Sequence, residues 1–388
     1  MNILFTIHHY LDPNTGVAGV TLKLGQEYKK AGHQVGCFSF NNLPSRLPEM
    51  IKGIIFPYWV AAYLLLQKPN FDVVDASTGD AWLWSILSLL RRKCILITRS
   101  HGLEHSMHLE NLKESARGNL KLSWKYPFYH GGWRLWEVKT SIRNADLTLM
   151  LNSRDRDYAQ KELKIAPKKL AIVPNGIPEE FLNLPWKNTL QSPDSTIRIA
   201  QVGSFIDRKG IKYSIPALNN ILKRFDNVEM TFLGTGCAEN EVLSHFASDV
   251  KQKITVIPSY NHHDLPNLLK DHQIKLFPTL SEGFSLALIE AMACGLAPIT
   301  TSTPGLMEIV KNSHNGILIP PRNTKAIQYA IEELILNSEQ LDRMRRNAYD
   351  TAQDYSWVSV AQKNIQLYQQ VLEAKKTRRI SGGKETVK

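Results

Sequence analysis

Phe277-Pro-Thr-Leu-Ser-Glu-Gly-Phe-Ser-Leu-Ala-Leu-Ile-Glu-Ala-Met-Ala-Cys-Gly295 reads as a strand, a short polar loop and a helix. From Ser285 onward Leu286, Ile289, Met292 and Ala293 recur at helical spacing, Ser285 suits an N-cap, and Gly295 is the expected residue just past the helix end. The backbone N–H groups at such a start, about those of Phe284 to Leu286, carry partial positive charge and suit a pyrophosphate. Glu290 falls about five residues into the helix, ~7 Å deeper at ~1.5 Å rise per residue, which is the step from a diphosphate to its ribose. Glu282, in the loop, faces the opposite end of the diphosphate, where a sugar would hang. Taken in isolation the two glutamates read as a loop charge and a solvated helix charge.

Their setting changes that reading. Residues 277–310, with Pro-Thr-Leu-Ser-Glu-Gly-Phe-Ser, then Glu-Ala-Met-Ala-Cys-Gly, then Thr-Pro-Gly-Leu-Met-Glu-Ile-Val, resemble the donor-site segment of the retaining GT-B glycosyltransferases of family 4 (glycosyl transferases group 1). The resemblance implies an α/β protein of GT-B architecture, two doubly wound Rossmann-like domains facing across a cleft. It also implies a nucleotide-sugar donor held by Glu282, Gly283, Phe284, Ser285 and Glu290.

Working outward, strands alternate with helices along the whole chain. Apolar runs at residues 2–6, 34–40, 73–76, 94–99, 147–151 and 170–173 form one set; 197–202, 229–233, 254–257, 274–277, 297–300 and 316–319 form another. Helical patterns at 20–31, 82–90 and 131–144 lie between the first set. Such alternation predicts two parallel-sheet domains, and 388 residues exceed one ordinary core. The turn-rich stretch from Pro174-Asn-Gly-Ile-Pro178 to Ser192-Pro-Asp-Ser195 is the expected linker. This gives an N-terminal domain over 1–185, a nucleotide-sugar domain over 195–355, and a last amphipathic helix over 356–374. The resemblance sends that helix back to the N-terminal domain, Tyr355-Ser-Trp357 matching the family's C-terminal signature. Residues 375–388 carry Lys375, Lys376, Arg378, Arg379, Lys384 and Lys388 against Glu385 alone and are expected to be disordered.

Hydrophobic residues make up 43% and charged residues 21%, an ordinary globular balance, and a net charge of +11 favours anionic partners. Cys37, Cys94, Cys237 and Cys294 are far apart with no C-x-x-C pair, so neither a zinc site nor a redox motif is supported and reduced, cytosolic thiols are expected. Met1-Asn-Ile-Leu-Phe-Thr-Ile lacks a basic leader pattern and runs into a strand. The most apolar stretch, residues 53–67, contains Pro57 and is bounded by Lys52 and Lys68, which argues against a membrane-spanning helix.

Other motifs sit at strand ends, where open parallel sheets bind ligands. Asn14-Thr-Gly-Val-Ala-Gly19 follows the first strand; the resemblance places Gly16 at the second position of a Gly-Gly pair, with Thr15 in place of the first, and so near the donor. Thr98-Arg-Ser-His-Gly-Leu-Glu104 ends another strand, and the family's His-Gly pair makes His101 a residue lining the transfer site. His101-Gly-Leu-Glu-His105 also fits an H-x-x-E-H zinc pattern, but Gly102 interrupts the helix that pattern needs, so no metal is assigned. Gly203-Ser-Phe-Ile-Asp-Arg-Lys-Gly210 opens a helix, and Lys209 beside that start suits a diphosphate leaving group. The family's arginine after the first glycine is Ser204 here; Arg208 supplies the second positive charge, or is a solvated surface group. Pro258 and Tyr260 fall where the family seats the nucleotide base. Phe232-Leu-Gly-Thr-Gly-Cys-Ala-Glu239 starts like a dinucleotide fingerprint but has Glu239 at the third glycine, which disfavours a nicotinamide enzyme.

Residues 91–143 hold eleven Lys or Arg against four Glu, interleaved with Trp124, Tyr126, Phe128, Tyr129, Trp133 and Trp136. This mixture suits an anionic membrane, an RNA surface, or an aromatic core with a basic rim. The expectation is a cytoplasmic, metal-independent retaining glycosyltransferase without a cofactor, peripheral on the inner face of the plasma membrane. It would move a sugar from a UDP- or GDP-sugar to a glycan or lipid-linked acceptor in cell-surface polysaccharide or lipopolysaccharide synthesis. His101, Lys209 and Glu282 would be its catalytic residues. The alternatives are a GT-B sugar-nucleotide epimerase and a non-catalytic RNA- or membrane-binding protein on the same scaffold; no nucleic-acid partner is favoured.

Overall fold

Strands β1 (Asn2–Ile7), β2 (Gln34–Ser39), β3 (Val73–Ser77), β4 (Ile95–Arg99), β5 (Leu147–Met150) and β6 (Leu170–Ile172) pair in parallel in the order β2-β1-β3-β4-β5-β6. Every residue of β3, β4 and β5 is buried, as expected of parallel strands covered on both faces by helices, and this is why they read as short apolar runs. A second parallel sheet contains β7 (Ile197–Val202), β8 (Val228–Leu233), β9 (Ile254–Ile257), β10 (Ile274–Phe277), β11 (Ala297–Thr301) and β12 (Ile317–Ile319), ordered β12-β11-β10-β7-β8-β9. Both sheets are doubly wound. Winding reverses between β1 and β3 in the first and between β7 and β10 in the second, and the crevices beyond these strand ends are the natural ligand positions.

The computed structural model describes residues 1–12, 16–66, 71–87, 94–118, 120–186 and 195–382. It divides into one unit of Met1–Asn175 with Trp357–Lys388 and another of Gly176–Ser356. The boundary therefore precedes the expected 185. Ile177 and Phe181 are fully buried in the second unit's core, Tyr349 Oη donates to Leu184 O at 2.7 Å, and Trp186 meets Tyr349 edge to face and lies under the guanidinium groups of Arg345 and Arg346. Apolar anchors hidden among turn residues make residues 176–186 part of that unit instead of a free linker; residues 187–194 of the expected linker lie outside the described residues.

The last helix runs Trp357–Gly382, so 375–382 are helical and not disordered. Lys and Arg are good helix formers, and Lys375 Nζ is tied to Cys94 O at 2.8 Å and Asp146 Oδ2 at 3.2 Å. The expected tail beyond 382 lies outside the described residues. Inside the first unit this helix meets a buried polar cluster. Arg99 Nη2 donates to Asp75 Oδ2 at 2.6 Å and to Tyr368 Oη at 2.9 Å, Tyr368 Oη donates to Asp75 Oδ2, and Tyr28 Oη lies 3.1 Å from Tyr368 Oη.

The apolar run around Pro57 is longer than its sequence suggests. It forms one helix, Glu49–Leu66, the single described helix long and apolar enough to cross a membrane. Pro57 in a helix interior costs about 3 kcal/mol. Here Phe56, Val60, Ala61 and Leu64 pack it into the core with Phe38, Phe40, Val74 and Trp84. The expected helix from Gly131 begins instead at Arg134 (Arg134–Asn144), preceded by a wider helical turn, Tyr129–Trp133.

Candidate functional site

At the β7/β10 reversal two loops are fastened to each other. After β7 comes a single turn Asp207–Lys209, then Gly210 at φ +78°, then helix Ile211–Arg224. After β10 comes the loop of residues 278–285, then helix Leu286–Ala293. Leu280 N donates to Arg208 O at 2.9 Å, and Arg208 Nη1 donates to Ser281 O at 3.3 Å. A Cβ on Gly210 would lie 2.0 Å from Pro278 O, and one on Gly305 would lie 2.2 Å from Gly283 O. Backbone presses on the second loop from both sides, so only glycine fits at either position.

Clamping brings the expected side chains together. Lys209 Nζ donates to Glu282 Oε2 at 2.8 Å, with Arg208 Nη1 3.8 Å from the same oxygen. Ser285 caps the following helix, its side chain accepting from Leu288 N at 3.2 Å, and Gly295 ends it at φ +81°. Gly283, Phe284 and Ser285 lead directly into that N-terminus, where the peptide dipoles favour an anion. Glu290, the fifth residue of the helix, is buried, and its Oε1 lies 2.9 Å from His262 Nε2. Tyr260 lies beside them: burial, then the charge of Glu290, pushes its hydroxyl up to about 12. Its ring closes on Gly234 at the end of β8, and Pro258 O accepts from Gly236 N at 3.1 Å. One corner of the second unit thus holds Pro258, Tyr260, His262 and Glu290, and the neighbouring loop pair holds Arg208, Lys209 and Glu282.

Sequence reasoning missed Lys275. It lies on β10, fully buried, with no hydrogen-bond partner for Nζ among the described residues. Nζ is 5.4 Å from the Phe277 ring centroid, while Lys209 Nζ is 4.9 Å from the same ring. Burial first, then the charge of Lys209, holds the Lys275 amine well below the usual lysine range, against the pull of Glu290. The available signal was a lysine interrupting an otherwise apolar central strand, Ile-Lys-Leu-Phe. His262 gave no signal, because its role depends on a carboxylate twenty-eight residues away.

At the β1/β3 reversal the first unit holds a pair that sequence reasoning also missed. His8 Nδ1 lies 2.6 Å from Asp80 Oδ1; Asp80 is fully buried and its Oδ2 has no hydrogen-bond partner among the described residues. In the neutral ring, a carboxylate beside Nδ1 favours the proton on that nitrogen, which makes Nε2 the acceptor. His101 follows β4, and burial, with Arg99, His8 and His9 adding, pushes its imidazole down to about 3 and keeps it neutral. His105, on helix Glu104–Ala116, packs against Tyr158. No group of three metal-binding side chains occurs among the described residues. Gly16 begins helix Gly16–Lys30, where a Cβ would meet nothing within 4 Å, so packing within its unit does not require glycine there. Asn14 and Thr15 of the same motif lie outside the described residues.

Known proteins match both halves. Residues 14–181 match the model described as Glycosyltransferase Family 4, and residues 185–351 match Glycosyl transferases group 1. An uncharacterized glycosyltransferase of Methanocaldococcus jannaschii is 29% identical over 215 residues, 53% of this chain and 55% of that protein. The UDP-Gal:alpha-D-GlcNAc-diphosphoundecaprenol alpha-1,3-galactosyltransferase of Escherichia coli is 24% identical over 67% of this chain and 65% of its own length. The aligned region thus spans between about half and two thirds of these curated relatives. Among solved structures, sucrose-phosphate synthase of Thermosynechococcus elongatus superposes with a TM-score of 0.75 over 96% of this chain and 100% of that one, at 19% identity, a likeness of fold.

Proposed function

We propose that this chain, which belongs to the GT-B glycosyltransferases, moves a sugar from a nucleoside-diphosphate donor to a glycan or lipid-linked acceptor with retention of configuration and without a metal ion. One observation carries the reading: Lys209, Glu282 and buried Glu290 are arrayed about a capped helix N-terminus at a β-sheet winding reversal. Amides of Gly283 to Ser285 and the helix dipole receive the diphosphate, Lys209 and Arg208 neutralise it, Glu290 accepts from the ribose hydroxyls, and the base lies toward Pro258 and Tyr260. UDP and GDP both suit this frame. Two cations and a dipole do here what a divalent ion does at other diphosphate sites.

In the chemical step the bond from the anomeric carbon to the β-phosphate oxygen breaks, its electron pair going to that oxygen. The acceptor hydroxyl attacks from the same face, and its proton passes to the departing phosphate. Glu282 is tied to Lys209, which suits it to hold sugar hydroxyls and makes it a poor free nucleophile. From the first unit, the family resemblance assigns His101, a neutral imidazole, and Gly16 to the transfer reaction. On the acceptor side, His8 offers Nε2 to a hydroxyl.

A role in cell-surface polysaccharide or lipopolysaccharide synthesis, at the inner face of the plasma membrane, agrees with a relative named for a diphosphoundecaprenol acceptor. The four cysteines form no disulfide among the described residues, which agrees with a reducing cytoplasm. The deciding experiment screens nucleotide sugars for protection against thermal unfolding, then follows transfer in EDTA and the product's anomeric configuration by NMR. An inverted product, or loss of transfer in EDTA restored by a divalent ion, would correct the mechanism. Epimerisation of donor alone with no transfer would make the protein an epimerase, and absence of any nucleotide binding would leave a non-catalytic scaffold.

A further inference from the structure

Helix Glu49–Leu66 breaks the usual rule that a surface helix turns polar residues to water. Its buried face is accounted for by the core. Its other face exposes Met50, Ile51, Ile54, Tyr58, Trp59, Leu65 and Leu66, with Met50 76% and Leu66 81% exposed, and Lys52 is turned inward onto Tyr10 Oη at 2.8 Å. No charged side chain interrupts this stripe from Met50 to Leu66.

The stripe continues onto neighbouring elements. Tyr58 meets Trp82 edge to face at 5.9 Å, Trp82 meets Trp133 and Trp136 at 6.0 and 4.9 Å, and those two rings lie 4.9 Å apart. Trp133 N then bonds to Phe128 O, and Phe128 packs against Trp124 at 6.3 Å. Trp124 and Phe128 are 76% and 73% exposed. Trp82, which joins these groups, is itself buried; exposed large apolar side chains clustered around it in this way mark an interaction site.

Charge selects the partner. From Ser115 to Trp136 there is no acidic residue, while Lys121 and Lys125 are basic and exposed, and Lys125 Nζ sits 5.5 Å from the Trp124 ring; Arg117 is paired with Glu114 and Arg134 lies inward between Glu104 and Glu137, so the two lysines carry the charge. Tryptophan, tyrosine and lysine rimming exposed aliphatics match the headgroup boundary of an anionic bilayer. We propose that this face is the surface by which the protein docks on an anionic membrane, with helix Glu49–Leu66 lying in the interface plane. The helix does not span, because Phe56, Val60 and Leu64 belong to the core and hold it to the sheet. The proposal locates the membrane contact of the preceding reading, yet rests on its own surface and stands if the transfer reaction is wrong.

The experiment is vesicle co-sedimentation of the full chain with phosphatidylcholine alone and with phosphatidylcholine containing phosphatidylglycerol. We compare wild type, the apolar variant Met50→Asp/Trp59→Ser/Leu66→Asp, and the charge variant Lys121→Gln/Lys125→Gln. Circular dichroism and UDP binding check that each variant is folded and keeps its donor site. Expected are binding to the anionic vesicles weakened by added salt, at least tenfold weaker partitioning of the apolar variant, and a shallower salt dependence in the charge variant. The proposal is overturned if wild type stays in solution with anionic vesicles, or if folded apolar variant binds as wild type does. It is also overturned if light scattering shows a stable dimer that the apolar variant dissociates, since a second copy would then cover this face. A variant that fails to fold is replaced by the single changes Leu66→Asp and Trp124→Ser, read against the same outcomes.

Discussion

Lys209 Nζ and Glu282 Oε2, seventy-three residues apart in sequence, lie 2.8 Å apart across two loops that backbone contacts lock together. An arriving diphosphate therefore competes with Glu282 for the ammonium, and the two roles of the pair separate by mutation. Lys209→Ala is expected to lower kcat/KM by ~10²–10³, the range for removing one charge-stabilising group. Glu282→Gln is expected to leave UDP or GDP affinity equal or higher while lowering transfer. Calorimetric nucleotide titration beside steady-state kinetics reads both; weaker nucleotide binding by Glu282→Gln would contradict the assignment.

Glu290 is buried and bonded to His262, whose side chain is 42% exposed and so reaches the surface where a ribose would arrive. Glu290→Ala is expected to weaken nucleotide binding by ~10–100-fold, about 1.4 to 3 kcal/mol, as for loss of a charged hydrogen-bond acceptor. His262→Ala should cost far less. Unchanged affinity in Glu290→Ala would remove the donor site from this helix.

Gly210→Ala sets a methyl against Pro278 O and strains a φ of +78°. A left-handed non-glycine residue costs about 1–3 kcal/mol before the clash is counted. Thermal unfolding should begin several degrees lower, and transfer should fall because Lys209 and the loop of residues 278–285 lose their register. A normal melting temperature with normal activity would show that the clamp is slack.

Acid should destabilise the fold through buried neutral histidines. Burial, with Arg198 adding, lowers His272 to about 4, and burial, with Lys139 and His108 adding, lowers His105 to about 4. Between the unfolded value near 6.5 and about 4 the unfolded chain binds protons that the folded chain refuses. Stability is thus complete above about pH 6.5 and falls as pH drops through that window, by about 1.4 kcal/mol per pH unit per histidine. Urea denaturation at a series of pH values tests this, and His272→Gln should flatten the slope.

Asp75→Asn should cost about 3–5 kcal/mol, because it strands the buried Arg99 guanidinium, whereas Tyr368→Phe removes one hydroxyl and should cost about 1–3 kcal/mol. Denaturant midpoints distinguish the two, and equal effects would mean that Arg99 finds another partner.

The strands were legible as short, mostly apolar runs between turns, most cleanly for β3, β4 and β5, which are buried along their whole length. The helix capped by Ser285 was legible from local chemistry alone, since a cap and its partner amide are three residues apart. What escaped notice depends on distance or on compensation. His8 and Asp80 are seventy-two residues apart, and neither neighbourhood hints at the other. Lys275 looks like a surface charge until its strand is known to be central. Phe181 and Trp186 sit among turn formers, so the unit boundary was read too late in the chain. Helix Glu49–Leu66 was underrated because Pro57 signals a break that core packing overrides.

The hydroxyl of Tyr368 completes a polar knot whose other members, Tyr28, Asp75 and Arg99, are all made at least 269 residues earlier. A nascent chain emerging from the ribosome therefore carries a charged, half-finished interior until its last helix is released. Residues 176–356 form an uninterrupted stretch and need no such wait, so the second half of the protein can mature before the first.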